Sequence, residues 1–476
     1  MNRMPKFSVA PAFSSHMVLE RGTGTRVWGK ASKIGLTITV SVGDVTAQAV
    51  SDIEKRWEVS LPRIEASTLP VTLSVSDGID VITFEDVLIG EVYLVTGQSN
   101  AEMTFNAEEQ THAYFKTLLE ETPRYPLLRA LVQHRADNEP ASYNQFVTDA
   151  FSNPARSLWR RLDCPEVTTE VSIIGYCFAR ELFRALDETV PVGIVMAASS
   201  GSPWQEIAPG ELAAAYGYDT NRNDLIAVSG MYNTMIAPVQ NMSLSGILFY
   251  QGESEMDNPR RRLYGYMMQS YVAELRRRFR AQLPFYFVQL SSHPPFERSH
   301  WKHIETIREA QFDILRLVPD SYMAVSRDRG WREGDLNMYH PYRKDTLGKR
   351  LADLALAVQF GKANLDKVCS PIPYEAKFSQ SKAVVRFRHV SSGLRKSGGR
   401  SLVGFELCGK DGEYQPARAK ITAPDTVEIT GVKNPTAVRF GHLFLAYMEY
   451  ANLENGAGLP APCFELLKDT YHLNLQ

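Results

Sequence analysis

Hydrophobic and polar residues alternate one by one in two stretches near the start of the chain. They are Leu36–Val50 (LTITVSVGDVTAQAV) and Leu69–Gly90 (LPVTLSVSDGIDVITFEDVLIG). Period-two alternation predicts strands with one buried face, and Gly43-Asp44 and Asp77-Gly78 supply turns. Residues 1–90 therefore read as a β-sandwich. The pattern then changes. Uninterrupted apolar runs (VYLVTG, PVGIVMAAS, LSGILFYQG, PFYFVQLS, SYMAVS) predict strands buried on both faces. Helical stretches lie between them: IIGYCFARELFRAL, LYGYMMQSYVAELRRRF and WKHIETIREAQFDILR. This repetition predicts an α/β domain over 91–362, with a mainly parallel sheet flanked by helices. Residues 104–170 fit neither pattern and read as an irregular insertion that shapes a site. Residues 363–476 return to short strands separated by Gly-rich turns, such as KAVVRFRHV, SLVGFELCG and DTVEITG. They predict a second, C-terminal β-sandwich.

Composition narrows the function classes. A chain of 476 residues with 44% hydrophobic and 22% charged residues is an ordinary globular protein of two or three domains. The formal net charge of −2 gives no case for a nucleic-acid or membrane partner. Arg276, Arg277, Arg278 and Arg280 fall in a helical pattern and read as a solvated helix face. The five cysteines are scattered, with no CxxC pair, which argues against a metal framework or a dense disulfide scaffold. The first residues carry no apolar signal core, so the chain as written is expected in the cytoplasm, or secreted or periplasmic if a leader was removed. Oligomeric state is not legible.

Candidate chemistry gathers at the carboxyl ends of the apolar strands, where open α/β sheets bind ligands. After VYLVT come Gly97, Gln98, Ser99 and Asn100. Gly97 permits a tight turn that exposes the Ser99 hydroxyl and aims its N–H at a developing oxyanion; a plain Ser/Asn turn or helix cap is the alternative. After LSGILFY come Gln251, Gly252 and Glu253. The Gln251 amide suits an oxyanion hole, and Glu253 suits either the orientation of a histidine or a structural ion pair. His340, held by Pro341 at a helix start, is placed as a general base or is simply a surface histidine. Together these supply a nucleophile, oxyanion donors, an acid and a base, in chain order.

Those same segments (GQSNAEM, FYQGES, REAQ at 308–311 and HPYRKDTLGKRLA) resemble the sialate O-acetylesterase-like branch of the SGNH/GDSL hydrolases. Phe13–Ala31 and three later segments, 402–421, 434–440 and 451–464, are similar to the family's flanking sandwiches. The resemblance implies a flavodoxin-like three-layer α/β/α SGNH-hydrolase domain between two β-sandwiches. It implies a serine esterase that removes O-acetyl groups from a carbohydrate through an acetyl-serine intermediate, with no metal or organic cofactor. Ser99 is the implied nucleophile and His340 the base. Ser99 N–H, Gly201 N–H and Gln251 form the implied oxyanion hole. The family often carries Asp three residues before the histidine, where this chain has Asn337. Glu253 is taken as the triad acid, with Asn337 and Asp335 as alternatives. Gln98, Asn100, Trp204 and Tyr339 are nominated for substrate binding. The expected substrate is acetylated sialic acid or an acetylated plant-type oligosaccharide. The competing readings are a non-catalytic carbohydrate-binding protein with a degenerate hydrolase domain, and an esterase for another acyl ester.

Overall fold

The structure is a computed structural model. It describes residues 6–22, 24–106, 113–134, 158–219, 228–291, 303–329, 340–341, 343–399, 401–442 and 451–468. Two compact units divide the chain: residues 1–249 with 271–284, and residues 250–270 with 285–476.

In the first unit, β1 (Phe7–Val9), β3 (Arg26–Ala31) and β6 (Arg56–Ser60) form a three-stranded antiparallel sheet, with β2 (Val18–Glu20) between β1 and β3 in the chain. The hairpin β4 (Thr37–Val42) and β5 (Val45–Val50) pairs through β4 with β7 (Ser67–Ser76), and β7 pairs with β8 (Val81–Gly97). Ile38, Val40 and Val42 point inward along β4, as its alternation requires.

The 17-residue β8 carries two patterns in one strand. Exposed and half-buried residues alternate from Val81 to Asp86, and every residue from Val87 to Gly97 is buried. The first part pairs antiparallel with β7, and Glu91–Gly97 pairs in parallel with β11 (Val192–Ala198). Between them sits Gly90, where a Cβ would stand 2.0 Å from the Pro191 carbonyl oxygen. Only glycine permits that approach.

On the other side of β11 lies β9 (Leu128–Val132), also parallel, followed by β10 (Trp159–Arg161), antiparallel to β9. With β12 (Gly246–Tyr250) beside β8, the order is β10-β9-β11-β8-β12, so this is an α/β fold on a mixed sheet. The stretch expected to be irregular thus contributes α1 (Ala113–Glu120) and two strands. Arg129 hid the strand: it interrupts the apolar run LRALV yet is only 2% exposed. It donates to the Pro126 and Leu128 carbonyls and to Asp86. The helix α2 (Ile173–Ala185) starts on Ser172, whose hydroxyl accepts from Gly175 N–H at 3.2 Å. It lies close on the sheet, with a Cβ at Gly175 meeting Val95 at 3.1 Å and Ile194 at 3.2 Å.

The arginines of α3 (Tyr264–Phe279) do not form a solvated face. Arg276 is buried and donates to Leu283 O at 2.9 Å. Arg278 pairs with Glu274 and lies 5.2 Å over the Tyr232 ring, leaving Arg277 and Arg280 as the exposed pair.

In the second unit, β13 (Phe285–Gln289) and β14 (Ser321–Val325) are parallel, with α4 (Ile304–Leu317) between them and α5 (Lys344–Val358) after them. Two four-stranded antiparallel sheets follow. One has β15 (Ile372–Phe378), β16 (Lys382–Arg388), β21 (Thr426–Thr430) and β20 (Arg418–Ala423) in that order. The other has β19 (Tyr414–Pro416), β18 (Phe405–Cys408), β22 (Ala437–Phe440) and β24 (Phe464–Leu467). The short strands β17 (Arg395–Lys396) and β23 (Leu453–Glu454) pair separately. Phe464 joins the two larger sheets, 5.9 Å from Phe387 and 6.4 Å from Phe405. All five cysteines are free thiols.

Candidate active site

The buried end of β8 delivers Ser99. Gly97 has φ +136°, a conformation other residues rarely adopt. Gln98 is extended, and one helical turn follows, Ser99–Glu102. Ala101 N–H and Glu102 N–H donate to Gln98 O at 2.8 and 2.9 Å, and Met103 N–H to Ser99 O at 2.8 Å. Ser99 is half-buried, whereas the flanking Gln98 and Asn100 are 3% and 1% exposed. The neighbouring strand ends in register, with Ala198 opposite Gly97 and Ser199 N–H 3.3 Å from Gly97 O.

A carboxylate that the sequence reading did not nominate ties these loops together. Glu102 accepts from Ser200 N–H at 2.6 Å and from the Ser200 hydroxyl. The turn bearing Ser99 and the loop bearing Gly201 are therefore one bonded assembly. Gly201 has φ +73° and nothing within 4 Å of a virtual Cβ, so backbone conformation rather than crowding calls for glycine. Beyond it Ser202 donates to Glu206 at 2.7 Å, both buried. Trp204 departs from expectation. It is 0% exposed and packs 5.3 Å from Tyr216 and 6.0 Å from Tyr218, so its ring has no open face for a sugar.

In the second unit, Gln251 follows the buried Tyr250 and is itself 0% exposed. Its side-chain oxygen accepts from Tyr264 Oη at 2.7 Å, and its Nε2 donates to Glu255 Oε1 at 3.2 Å. Its main-chain oxygen accepts from Gln311 Nε2 at 3.0 Å and Tyr264 Oη at 3.2 Å. Gly252 has φ +145°, and a Cβ there would meet Ile307 at 2.9 Å. Glu253 is half-buried at the start of a short 3-10 turn. Burial raises the Tyr250 phenol far above its usual range, and the Glu253 charge adds to this.

His340 is half-buried and Pro341 buried, just ahead of α5. That helix is clamped to the end of β14. Arg350 makes two 2.7 Å bonds to Asp328 and donates to Val325 O at 2.6 Å. Burial opposes ionisation of Asp328, but the Arg350 bonds and charge outweigh it and hold the carboxyl below its usual range. Asn337, Asp335 and Tyr339 lie outside the described residues.

Among the described residues, no group of three or more His, Cys, Asp or Glu is placed to hold a metal ion, and no helix is long and apolar enough to cross a membrane. A separate cavity of about 750 Å³ in the second unit is lined by His303, Glu309, Asp313, Arg439, His442 and Glu465 among others. It contains none of the nominated residues. In the first unit, the turn bearing the Ser99 hydroxyl is bonded through Glu102 to the loop bearing Gly201, which sets a hydroxyl beside backbone N–H groups at one strand edge. A hydroxyl beside such donors suits acyl transfer.

Residues 89–357, more than half the chain, match the family described as carbohydrate esterase, sialic acid-specific acetylesterase. The chain belongs to this family. It is a carboxylic-ester hydrolase of the carbohydrate acetylesterase type. The match begins beside Gly90, where β8 changes partners, and ends in the last turn of α5. Sialate O-acetylesterase of Rattus norvegicus is 26% identical over 422 residues, covering 75% of this chain and 74% of that one. The protein of the same name from Homo sapiens is 26% identical over 399 residues, covering 75% and 72%. A crystal structure of a carbohydrate acetylesterase from Xanthomonas citri superposes with a TM-score of 0.79 at 28% identity. It covers 98% of this chain and all of that one.

Proposed function

We propose that the protein removes O-acetyl groups from a carbohydrate by a double displacement at Ser99. The Ser99 oxygen attacks the acetyl carbonyl carbon while His340 accepts its proton, and Glu253 orients the imidazole. The tetrahedral oxyanion is held by Ser99 N–H, Gly201 N–H and the Gln251 amide. Collapse breaks the bond to the sugar oxygen, which takes the proton from His340. Water, deprotonated by His340, then attacks the acetyl-serine, releasing acetate and restoring the hydroxyl. The observation that carries this reading is the Gly97-Gln98-Ser99 turn at the end of a buried parallel strand, inside the segment that matches the family. The bonding of the Gly201 loop to that turn through Glu102 supports the oxyanion assignment.

The relatives' names point to an acetylated sialic acid, with acetylated plant-type oligosaccharides as the second class. We also read the three-layer hydrolase domain as flanked by a β-sandwich on each side, consistent with the antiparallel sheets at both ends of the chain. Acetate release from both substrate classes tests the function. Wild type releases acetate, and Ser99→Ala slows release by roughly a thousandfold or more. Equal rates from the two proteins would remove the serine mechanism. Release from simple acyl esters alone would remove the carbohydrate.

A further inference from the structure

Gln251 is useful as an oxyanion donor only in one of its two amide orientations. With Nε2 turned toward the reaction it donates; flipped, its oxygen would repel the developing negative charge. The strand end does not decide between them, because a glutamine amide is nearly symmetric in shape. The surrounding side chains do decide. Glu255 is 1% exposed, and an ionised carboxylate only accepts, so the group 3.2 Å away at Gln251 must be the NH₂. Its other oxygen accepts from Asn258 Nδ2 at 2.6 Å, which keeps the carboxylate from turning away. On the opposite side Tyr264 Oη lies 2.7 Å from Gln251 Oε1 and 3.2 Å from Gln251 O. With the NH₂ fixed on Glu255, the side-chain oxygen faces Tyr264, and the single hydroxyl proton goes to it as the nearer of the two acceptors. Tyr264 itself is 0% exposed at the first position of α3.

We infer that Tyr264 and Glu255 are positioning residues that lock the Gln251 side chain in the orientation that presents its N–H to the oxyanion. This rests on Gln251 serving as an oxyanion donor. Neither residue needs to touch substrate. The lock matters because a donor that is already oriented costs no reorganisation when charge develops. A buried amide free to flip would spend part of its time presenting a carbonyl oxygen.

Steady-state kinetics on the full chain test the idea with Gln251→Ala, Tyr264→Phe and their double variant. Gln251→Ala is expected to lower kcat by roughly a hundredfold, the effect of losing one oxyanion donor. Tyr264→Phe keeps the ring and is expected to lower kcat by about tenfold with KM little changed, as for one lost hydrogen bond. In the Gln251→Ala background it should have no further effect. Glu255→Gln is the second variant: it keeps an acceptor but removes the constraint on the flip, so kcat should fall while KM holds. Full kcat in Tyr264→Phe and Glu255→Gln beside a crippled Gln251→Ala would overturn the lock and leave the oxyanion role standing. A tenfold loss from Tyr264→Phe that persists in the Gln251→Ala background would make Tyr264 merely structural. Full activity in Gln251→Ala would remove the oxyanion role itself, and the lock with it.

Discussion

Two glycines at the site are held for different reasons, and their substitutions separate those reasons. At Gly252 the backbone has φ +145°, and a Cβ would press to 2.9 Å on Ile307 Cγ2 and 3.1 Å on Gln311 Nε2. Gln311 is the residue that holds the Gln251 carbonyl, so the clash falls on the loop that carries Gln251. At Gly201 the φ of +73° is left-handed, but a Cβ would meet nothing within 4 Å. Gly252→Ala is expected to lose about 3 kcal/mol of stability or more, from strain and overpacking together. Gly201→Ala should lose only about 1 kcal/mol, the conformational term alone. Thermal and urea unfolding of the two variants check this. Equal losses would mean that the contacts drawn for Gly252 are not those of the folded protein.

At the scale of elements, the helix after His340 buries an apolar face and is tied to the end of β14 by an ion pair. Arg350 on α5 reaches back to Asp328 beyond β14, with side chains 9% and 13% exposed. Breaking such a pair strands a buried cation and is expected to cost about 3 kcal/mol. The Asp328 carboxyl is held below its ordinary value of 3.8, so its ionised form binds the folded state. That stabilisation is full above the ordinary value and is lost as pH falls through the lowered one. Asp328→Asn should therefore unfold more easily at neutral pH, and the gap to wild type should close below about pH 4. A gap independent of pH would mean that Arg350 does not pair with an ionised carboxylate. Strands and helices of this kind were legible wherever apolar periodicity was unbroken. The turn at Gly97 was legible too, because a glycine ending an apolar run has few other uses; the positive φ of Gly252 was not read from the sequence. What stayed hidden was polar and buried. Arg129 concealed β9, Arg276 and Arg278 passed for surface, and Tyr264 gave no sign of bonding a residue thirteen positions earlier. A one-letter pattern scores an arginine as exposed; only tertiary carbonyls show that it is satisfied inside.

At the scale of the molecule, the changes of pattern at residues 90 and 362 do not coincide with the edges of the compact units. Residue 90 lies inside the continuous β8. Residues on both sides of 362 share the second unit, and polar side chains of the α/β strands join them. Gln289, at the end of β13, pairs with the backbone of Cys463 as a strand would. Its oxygen accepts from Cys463 N–H at 2.9 Å, and its NH₂ donates to Cys463 O at 2.9 Å. Arg327, just past β14, is 2% exposed and donates to the carbonyls of Ala451, Leu453 and Ala461. Its guanidinium also lies 5.0 Å over the Phe440 ring. Burial pulls its pKa down to about 10, so at neutral pH it remains a cation and depends on those acceptors. A chain ending at residue 362 removes every one of them at once. It takes these acceptors from Arg327 and uncovers the apolar face of α4, where Phe312 rests 5.9 Å from Phe464. Exposing apolar surface costs about 25 cal/mol per Å², so a face of a few hundred Å² is worth roughly 5–10 kcal/mol, comparable to the whole stability of a domain. The 1–362 chain should therefore fail to unfold cooperatively and should show no esterase activity, although it retains Ser99, Gln251, Glu253 and His340. Gln289→Ala in the full chain should show the same dependence in milder form, lowering stability by about 1–3 kcal/mol. Wild-type kcat and a sharp thermal transition in the shortened chain would show that the C-terminal sheets are a separable appendage to the esterase.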